Sequence, residues 1–133
     1  MELKHSKLRG ELAELRFMTR AAEHGLRMIK PWGDSSRYDF AVETGGKFLR
    51  VQVKSTSIHP GNHFVCPLSR ARQRPYGVND FDFLAVFIVP IDTWYIIPIK
   101  VIRKHKKGIG LSPHNSLSKH AIYKEAWHLL SGE

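Results

Sequence analysis

At 133 residues, 42% of them hydrophobic and 25% charged, the chain reads as a single globular domain, residues 1–133, with enough apolar content for its own core. Its longest apolar runs, around Phe83–Pro90 and Tyr95–Ile99, fall well short of the roughly 20 residues of a bilayer-spanning helix. Met1–His5 carries no apolar signal region and Cys66 is the single cysteine, so secretion is not expected, an internal disulfide is excluded and a cytoplasmic location is expected. Twenty-one Lys and Arg against twelve Asp and Glu leave a net charge of +9, which favours a polyanionic partner, nucleic acid above all.

The first element is a helix over Ser6–His24, stopped by Gly25 at the position after its C-cap. At about 100° per residue, Leu8, Leu12, Leu15, Met18 and Ala22 share one face, with Arg9, Arg16, Arg20 and Glu23 opposite. Glu14 falls beside the apolar arc, where a carboxylate must be solvated at the edge, paired, or bound to a metal. Leu26–Ile29 reads as a short strand and Pro31–Ser36 as a loop. Tyr38–Val42 and Phe48–Ser55 form a hairpin around Thr44-Gly45-Gly46. In the second of these strands Leu49, Val51 and Val53 alternate with Arg50, Gln52 and Lys54, the period of a half-buried strand.

Ser57–Asn79 is rich in Pro, Gly, His and Arg and reads as loop, with one short strand at His63–Cys66. Phe81–Val89 is apolar on both faces, as a central strand should be, and Trp94–Ile99 is its neighbour. Phe83, Phe87, Trp94 and Tyr95 are expected to pack the core between them. A basic stretch and a closing helix near Lys119–Leu130 complete the chain. Helix, three strands, irregular segment, two strands and helix make a mixed α/β domain around a central sheet.

Chemistry concentrates in Glu14, Asp39 and Arg50-Val51-Gln52-Val53-Lys54. Cleaving a phosphodiester requires the negative charge on the phosphoryl and leaving oxygens to be neutralised. Mg²⁺ does this with oxygen ligands, one or two of them carboxylates. Asp39 and Glu14 can supply the carboxylates, Gln52 a side-chain carbonyl, and Val53 its backbone carbonyl. Lys54, two residues from Gln52, points to the same strand face and can act on the attacking water. Whether the hairpin brings Asp39 to Gln52–Lys54 depends on a register that the sequence does not contain. Two basic clusters, Arg70, Arg72 and Arg74, then Lys100, Arg103, Lys104, Lys106 and Lys107, are either solvated surface or phosphate contacts. His59, His63 and Cys66 are zinc-ligand types, but Pro60-Gly61 breaks the helix that two such histidines would need, and no fourth ligand follows.

These residues carry a resemblance. Glu14, Asp39 and Gln52-Val53-Lys54 resemble the PD-(D/E)xK signature of the restriction-endonuclease-like nuclease superfamily. The likeness is nearer to a small subgroup with Gln in place of the acid, a cyanobacterial group I intron homing endonuclease among its members. Arg9–Glu14, Arg37–Phe40, Arg50–Ser55, Asp82-Phe83 and Trp94–Pro98 carry the likeness, which thins between Ile58 and Asn79. Tyr38 stands where the motif has proline, and Gln52 removes one negative charge from the metal site.

The resemblance implies a mixed central sheet with flanking helices (an αβββαβ-type core) and a metal-dependent DNA endonuclease. Glu14, Asp39, Gln52 and the Val53 carbonyl would hold Mg²⁺, with Mn²⁺ as the alternative, and Lys54 would be the catalytic lysine. The arginines and lysines of the two basic clusters would bind DNA, and a homodimer or homotetramer would supply two sites for two strands. A Holliday-junction resolvase and a non-catalytic DNA-binding module on the same fold are the alternatives.

Overall fold

Gly45 and Gly46 hold φ values of +52° and +79°, the left-handed backbone that a two-residue hairpin turn needs at both positions and that side chains with a Cβ resist. They join strand β2 (Phe40–Thr44) to β3 (Lys47–Thr56) in an antiparallel register that pairs Phe40 with Val51 and Thr44 with Lys47. The computed structural model describes residues 5–33, 35–68 and 76–132; Arg70, Arg72 and Arg74 lie outside the described residues.

Around that hairpin the sheet grows on both sides. β1 (Arg27–Ile29) pairs antiparallel with β2. β5 (Phe83–Ile88) runs parallel to β3, and β6 (Thr93–Pro98) antiparallel to β5, giving the order β1-β2-β3-β5-β6. β4 (Phe64–Pro67) and β7 (Gly108–Leu111) form a separate two-stranded ribbon. Between β3 and β5 the described residues therefore hold a strand, where an αβββαβ core places a helix. A four-residue turn of helix, α2 (Ile99–Ile102), instead follows β6.

Helix α1 (Ser6–Glu23) ends where Gly25 suggested: Gly25 N–H bonds to Ala22 O and Leu26 N–H to Ala21 O, at 2.9 and 3.0 Å, the paired bonds of a glycine C-terminal motif. Its buried face differs from the one expected. Ala13, Phe17 and Ala21 are buried, whereas Leu8, Leu15 and Met18 are exposed. Leucines surround this helix, so the sheet beneath decides the face. It offers an aromatic nest in which the Phe17 ring stacks on Phe40 at 5.3 Å and lies 5.7 Å from Trp94 and 5.6 Å from Trp127. Burying a phenyl ring contributes about 2–3 kcal/mol.

The sheet separates two cores. On the α1 side lie Val51, Val53, Ala85, Phe87 and Trp94; on the β4–β7 side lie Leu84, Val86, Ile88, Tyr95 and Ile97. The strict alternation along β5 and β6 follows from the period of two, and both strands are buried on both faces as their unbroken apolar runs required. Trp94 and Tyr95 are core residues, as expected.

The closing helix is not formed. Residues 119–131 contain two 3₁₀ turns, Ala121–Tyr123 and Trp127–Ser131. Glu125, at φ +51°, breaks any helix between them. Its backbone N–H bonds to Trp94 O at 2.7 Å, its carboxylate accepts the Trp94 N–H at 3.0 Å and the Trp127 indole N–H at 2.8 Å, and Lys124 bridges to Tyr95. The segment satisfies the open edge of β6, which an α-helix with its bonds turned inward cannot do. No helix among the described residues is long and apolar enough to cross a membrane.

Candidate metal and catalytic site

The hairpin register answers the question left open by the sequence. Asp39 stands one residue before β2 and donates its N–H to Val51 O at 2.8 Å. There β2 ends, and the next β3 donor on that edge, the Val53 N–H, is taken by the Asp39 carboxylate at 2.7 Å. The N–H and C=O of one strand residue point to the same edge, so the Val53 carbonyl faces the same gap as Asp39.

Glu14 comes to this gap from the helix. α1 packs against β3, and Glu14 is half-buried at the margin of that contact. Its Oε1 accepts the Lys30 ammonium at 2.8 Å, and the same ammonium lies 4.7 Å from the centre of the Phe40 ring. Gln52 and Lys54 occupy the β3 face turned away from α1, both half-buried. Lys54 forms no ion pair among the described residues. Its ammonium lies 5.9 Å from the centre of the Tyr76 ring, which also meets the Arg37 guanidinium at 4.7 Å and the Phe81 ring edge-on at 4.9 Å.

The electrostatics at Asp39 follow from this placement. Burial first, and the nearby Glu14 charge, push its carboxyl from 3.8 up to about 6, against the pull of the Val53 N–H, Lys30 and Lys54. A half-buried Asp39 whose ionisation is opposed by burial and by a second carboxylate nearby is a donor that a divalent cation would relieve. Among the described residues no group of three or more His, Cys, Asp and Glu side chains gathers as a ligand set. At this gap the donors after the two carboxylates are an amide and a backbone carbonyl, hard oxygen atoms of the kind Mg²⁺ takes.

The structure thus brings Asp39, Val53 and Lys54 to one end of the β2–β3 pair, with Gln52 two residues from Lys54 on the same face and Glu14 at the helix edge. Sequence reasoning missed Lys30 and Tyr76. Lys30 follows β1 and Tyr76 precedes β5, so only tertiary pairing reveals them. Lys100, Arg103, Lys104, Lys106 and Lys107 run from α2 to the start of β7; all are exposed. The Ile99 N–H bonds to Asp82 O at 2.9 Å, and the Asp82 N–H to Arg50 O at 2.9 Å. The basic segment therefore starts at the Arg50 end of the β3 face that also carries Gln52 and Lys54. His59 and Cys66 have other settings: the His59 ring stacks on Phe64 at 4.3 Å, and burial pushes the Cys66 thiol up to about 12.

A sequence profile of the PD-(D/E)XK endonuclease family matches residues 4–130. The chain belongs to that family and is a nuclease. In structure it is similar to a bacterial homing endonuclease, I-Ssp6803I, with a TM-score of 0.83 and 30% identity over 96% of this chain and 93% of that one. It is also similar to Hjc, a Holliday junction resolvase from the archaeal hyperthermophile Archaeoglobus fulgidus, with a TM-score of 0.52 and 15% identity over 78% of this chain and 84% of that one. The second likeness shows the fold alone. No curated protein sequence matches the chain.

Proposed function

We propose that this nuclease is a Mg²⁺-dependent DNA endonuclease, with Mn²⁺ able to substitute, whose site is the gap at the end of β2. Glu14, Asp39, Gln52 and the Val53 carbonyl would hold the ion. When bound, the ion would supply neutralising charge to the phosphoryl and leaving oxygens. Lys54, as an ammonium, orients the attacking water and stabilises the negative charge that develops as the water proton passes to solvent. Water adds to phosphorus as the opposite P–O bond breaks and the leaving oxygen takes a proton from solvent, leaving a phosphate monoester and a free hydroxyl. Gln52 gives the ion one charge less than the acid of the usual motif, so a higher metal requirement is expected. The basic residues from Lys100 to Lys107, and Arg70, Arg72 and Arg74, contact phosphates and position the duplex without reading bases. Cutting both strands calls for two sites, hence a homodimer or homotetramer.

One observation carries this reading: Asp39 is held on the Val53 N–H, half-buried and pushed up to about 6 partly by Glu14. A module that only bound DNA would gain nothing from paired carboxylates, which repel phosphate. The test is cleavage of supercoiled plasmid and of a four-way junction with Mg²⁺ or Mn²⁺, comparing wild type with Lys54→Ala. Metal-dependent cutting lost in the variant supports the reading, and preferential junction cutting makes the protein a resolvase. Equal cutting by Lys54→Ala removes Lys54 from the mechanism. Salt-sensitive binding with neither cutting nor metal dependence leaves a DNA-binding module.

A further inference from the structure

Trp32 is fully exposed, at 100%, whereas the other two tryptophans, Trp94 and Trp127, are 0% and 2% exposed. A lone surface apolar residue is ordinary, but the largest side chain standing wholly in water is not. Its position is also set by the backbone. Pro31 fixes φ on one side, and Gly33, at φ +79°, turns the chain on the other, so the indole is held out from a turn.

The turn is tied to the site at its N-terminal end and leads into it at the other. Lys30, two residues before Trp32, is bonded to Glu14 at 2.8 Å, and the loop continues into Asp39, which is bonded to Val53 at 2.7 Å. Two residues of chain span at most about 7 Å, and base pairs repeat every 3.4 Å along a duplex. With the length of the Lys30 side chain added, the indole stands within a few base steps of a phosphate held at the metal site. The excess of +9 charge draws in DNA rather than a basic or neutral partner.

From this we infer that Trp32 is a base-contacting residue of the nuclease, its indole stacking on a DNA base beside the phosphate held at Glu14 and Asp39. The inference rests on the DNA endonuclease reading and adds a contact that carries no charge. A base in a duplex offers its face only where a step is partly unstacked, as apolar wedges do from a groove, and stacking there accepts every base, so Trp32 strengthens and registers binding while the target sequence is read elsewhere.

The three tryptophans make the test direct. Acrylamide quenching of tryptophan emission is measured with and without a saturating random-sequence duplex of about 25 base pairs, in the absence of divalent metal so that nothing is cut. The accessible fraction, which belongs to Trp32, should become protected on binding. Trp32→Ala should weaken binding of that duplex on the order of tenfold with an unchanged thermal midpoint, since the side chain makes no buried contact, and Trp32→Phe should restore most of it. The dependence of log Kd on log salt should keep the same slope in all three proteins, because no phosphate contact is removed.

Unchanged quenching on saturation, or binding by Trp32→Ala within twofold of wild type, overturns the inference. If wild type still cuts plasmid in a Lys54-dependent way, the endonuclease reading survives that loss. Protection already present without DNA and rising with protein concentration would assign Trp32 to contact between copies of the chain, which also overturns it. A protein that neither binds nor cuts DNA loses both readings.

Discussion

Arg50 and Lys54 stand on the same face of β3, on either side of Gln52, and their charges are used in opposite ways. The Arg50 guanidinium is gripped by Asp82 through Nε–Oδ2 and Nη2–Oδ1 contacts of 3.2 Å each, while Asp82 Oδ2 also accepts the Arg50 N–H at 2.7 Å. Its third arm reaches the Asn79 carbonyl, and Asp82 raises its already high pKa. Lys54 makes no such pair among the described residues and has the face of Tyr76 instead. Two cations four residues apart thus divide the work. The planar, multi-donor guanidinium locks β3 to the start of β5, and the ammonium is left uncommitted near Asp39. A charge already spent on a carboxylate cannot also serve a reacting phosphate.

Replacing each partner should separate structure from chemistry. Lys54→Ala should reduce cleavage by about 10²–10⁴-fold and leave the thermal midpoint within experimental scatter; a variant that unfolds instead would make Lys54 as structural as Arg50. Asp82→Ala should do the reverse, lowering stability by about 1–3 kcal/mol through the orphaned Arg50 N–H and guanidinium while cleavage below the new midpoint persists. The ion pair itself is part-exposed and adds little to that figure. Chemical denaturation of both variants checks the contrast, and equal destabilisation would dissolve it.

Smaller changes sharpen the same division. Gln52→Glu restores an acid between the two cations and should lower the metal concentration for half-saturation, on the order of tenfold, read by calorimetry without DNA. No change would exclude the Gln52 side chain from the ion. Tyr76→Leu should slow cleavage about 2–5-fold, the worth of an exposed cation–π contact, with Kd for DNA unaltered, and Tyr76→Phe should restore it. A Kd effect without a rate effect would place Tyr76 outside the reaction.

The weakest effect should come from a pair remote from β3. His105 and His120 lie with ring centres 5.4 Å apart. Burial, then neighbouring Lys119 for His105 and His105 for His120, hold both below their ordinary 6.5. Between the lowered value and 6.5 the unfolded chain binds more protons, so their stabilisation is complete above about 6.5 and is lost as pH falls. Asp39, held up to about 6, works in the opposite sense in metal-free protein. The measurement is therefore the difference in thermal midpoint between wild type and His120→Gln from pH 7.5 to 5.5, which should narrow on acidification. A constant difference would remove the histidines from the pH dependence.

Much of this division could be read from residues that are local in the chain. The glycine pair, the alternation along Phe48–Ser55 and the two-sided apolar run at Phe83–Ile88 each fix an element by its own backbone or period. Tertiary supply decided the rest. α1 could have buried Leu8, Leu15 and Met18 as well as Ala13, Phe17 and Ala21, and the aromatic nest of Phe40, Trp94 and Trp127 chose the latter. Lys119–Leu130 has the composition of a helix, yet the open edge of β6 claimed its backbone and Glu125 fixed the break. At the proposed site, Glu14, Asp39, Gln52 and Lys54 could be named because their residue types and order match the chemistry proposed there. Lys30 and Tyr76 could not, because nothing near them in the chain marks them.

The contact between Asp39 and Val53 spans 14 positions, against 32 for Arg50 and Asp82 and 72 for Arg20 and Asp92. Loop-closure entropy makes the shortest of these the first to form, and an isolated hairpin closes in about 1–10 μs. The Asp39 carboxylate is therefore set in place by the earliest of these three closures, before the strand that carries Asp82 arrives. Replacements in the Gly45-Gly46 turn should slow folding, whereas replacements at Asp82 should chiefly speed unfolding.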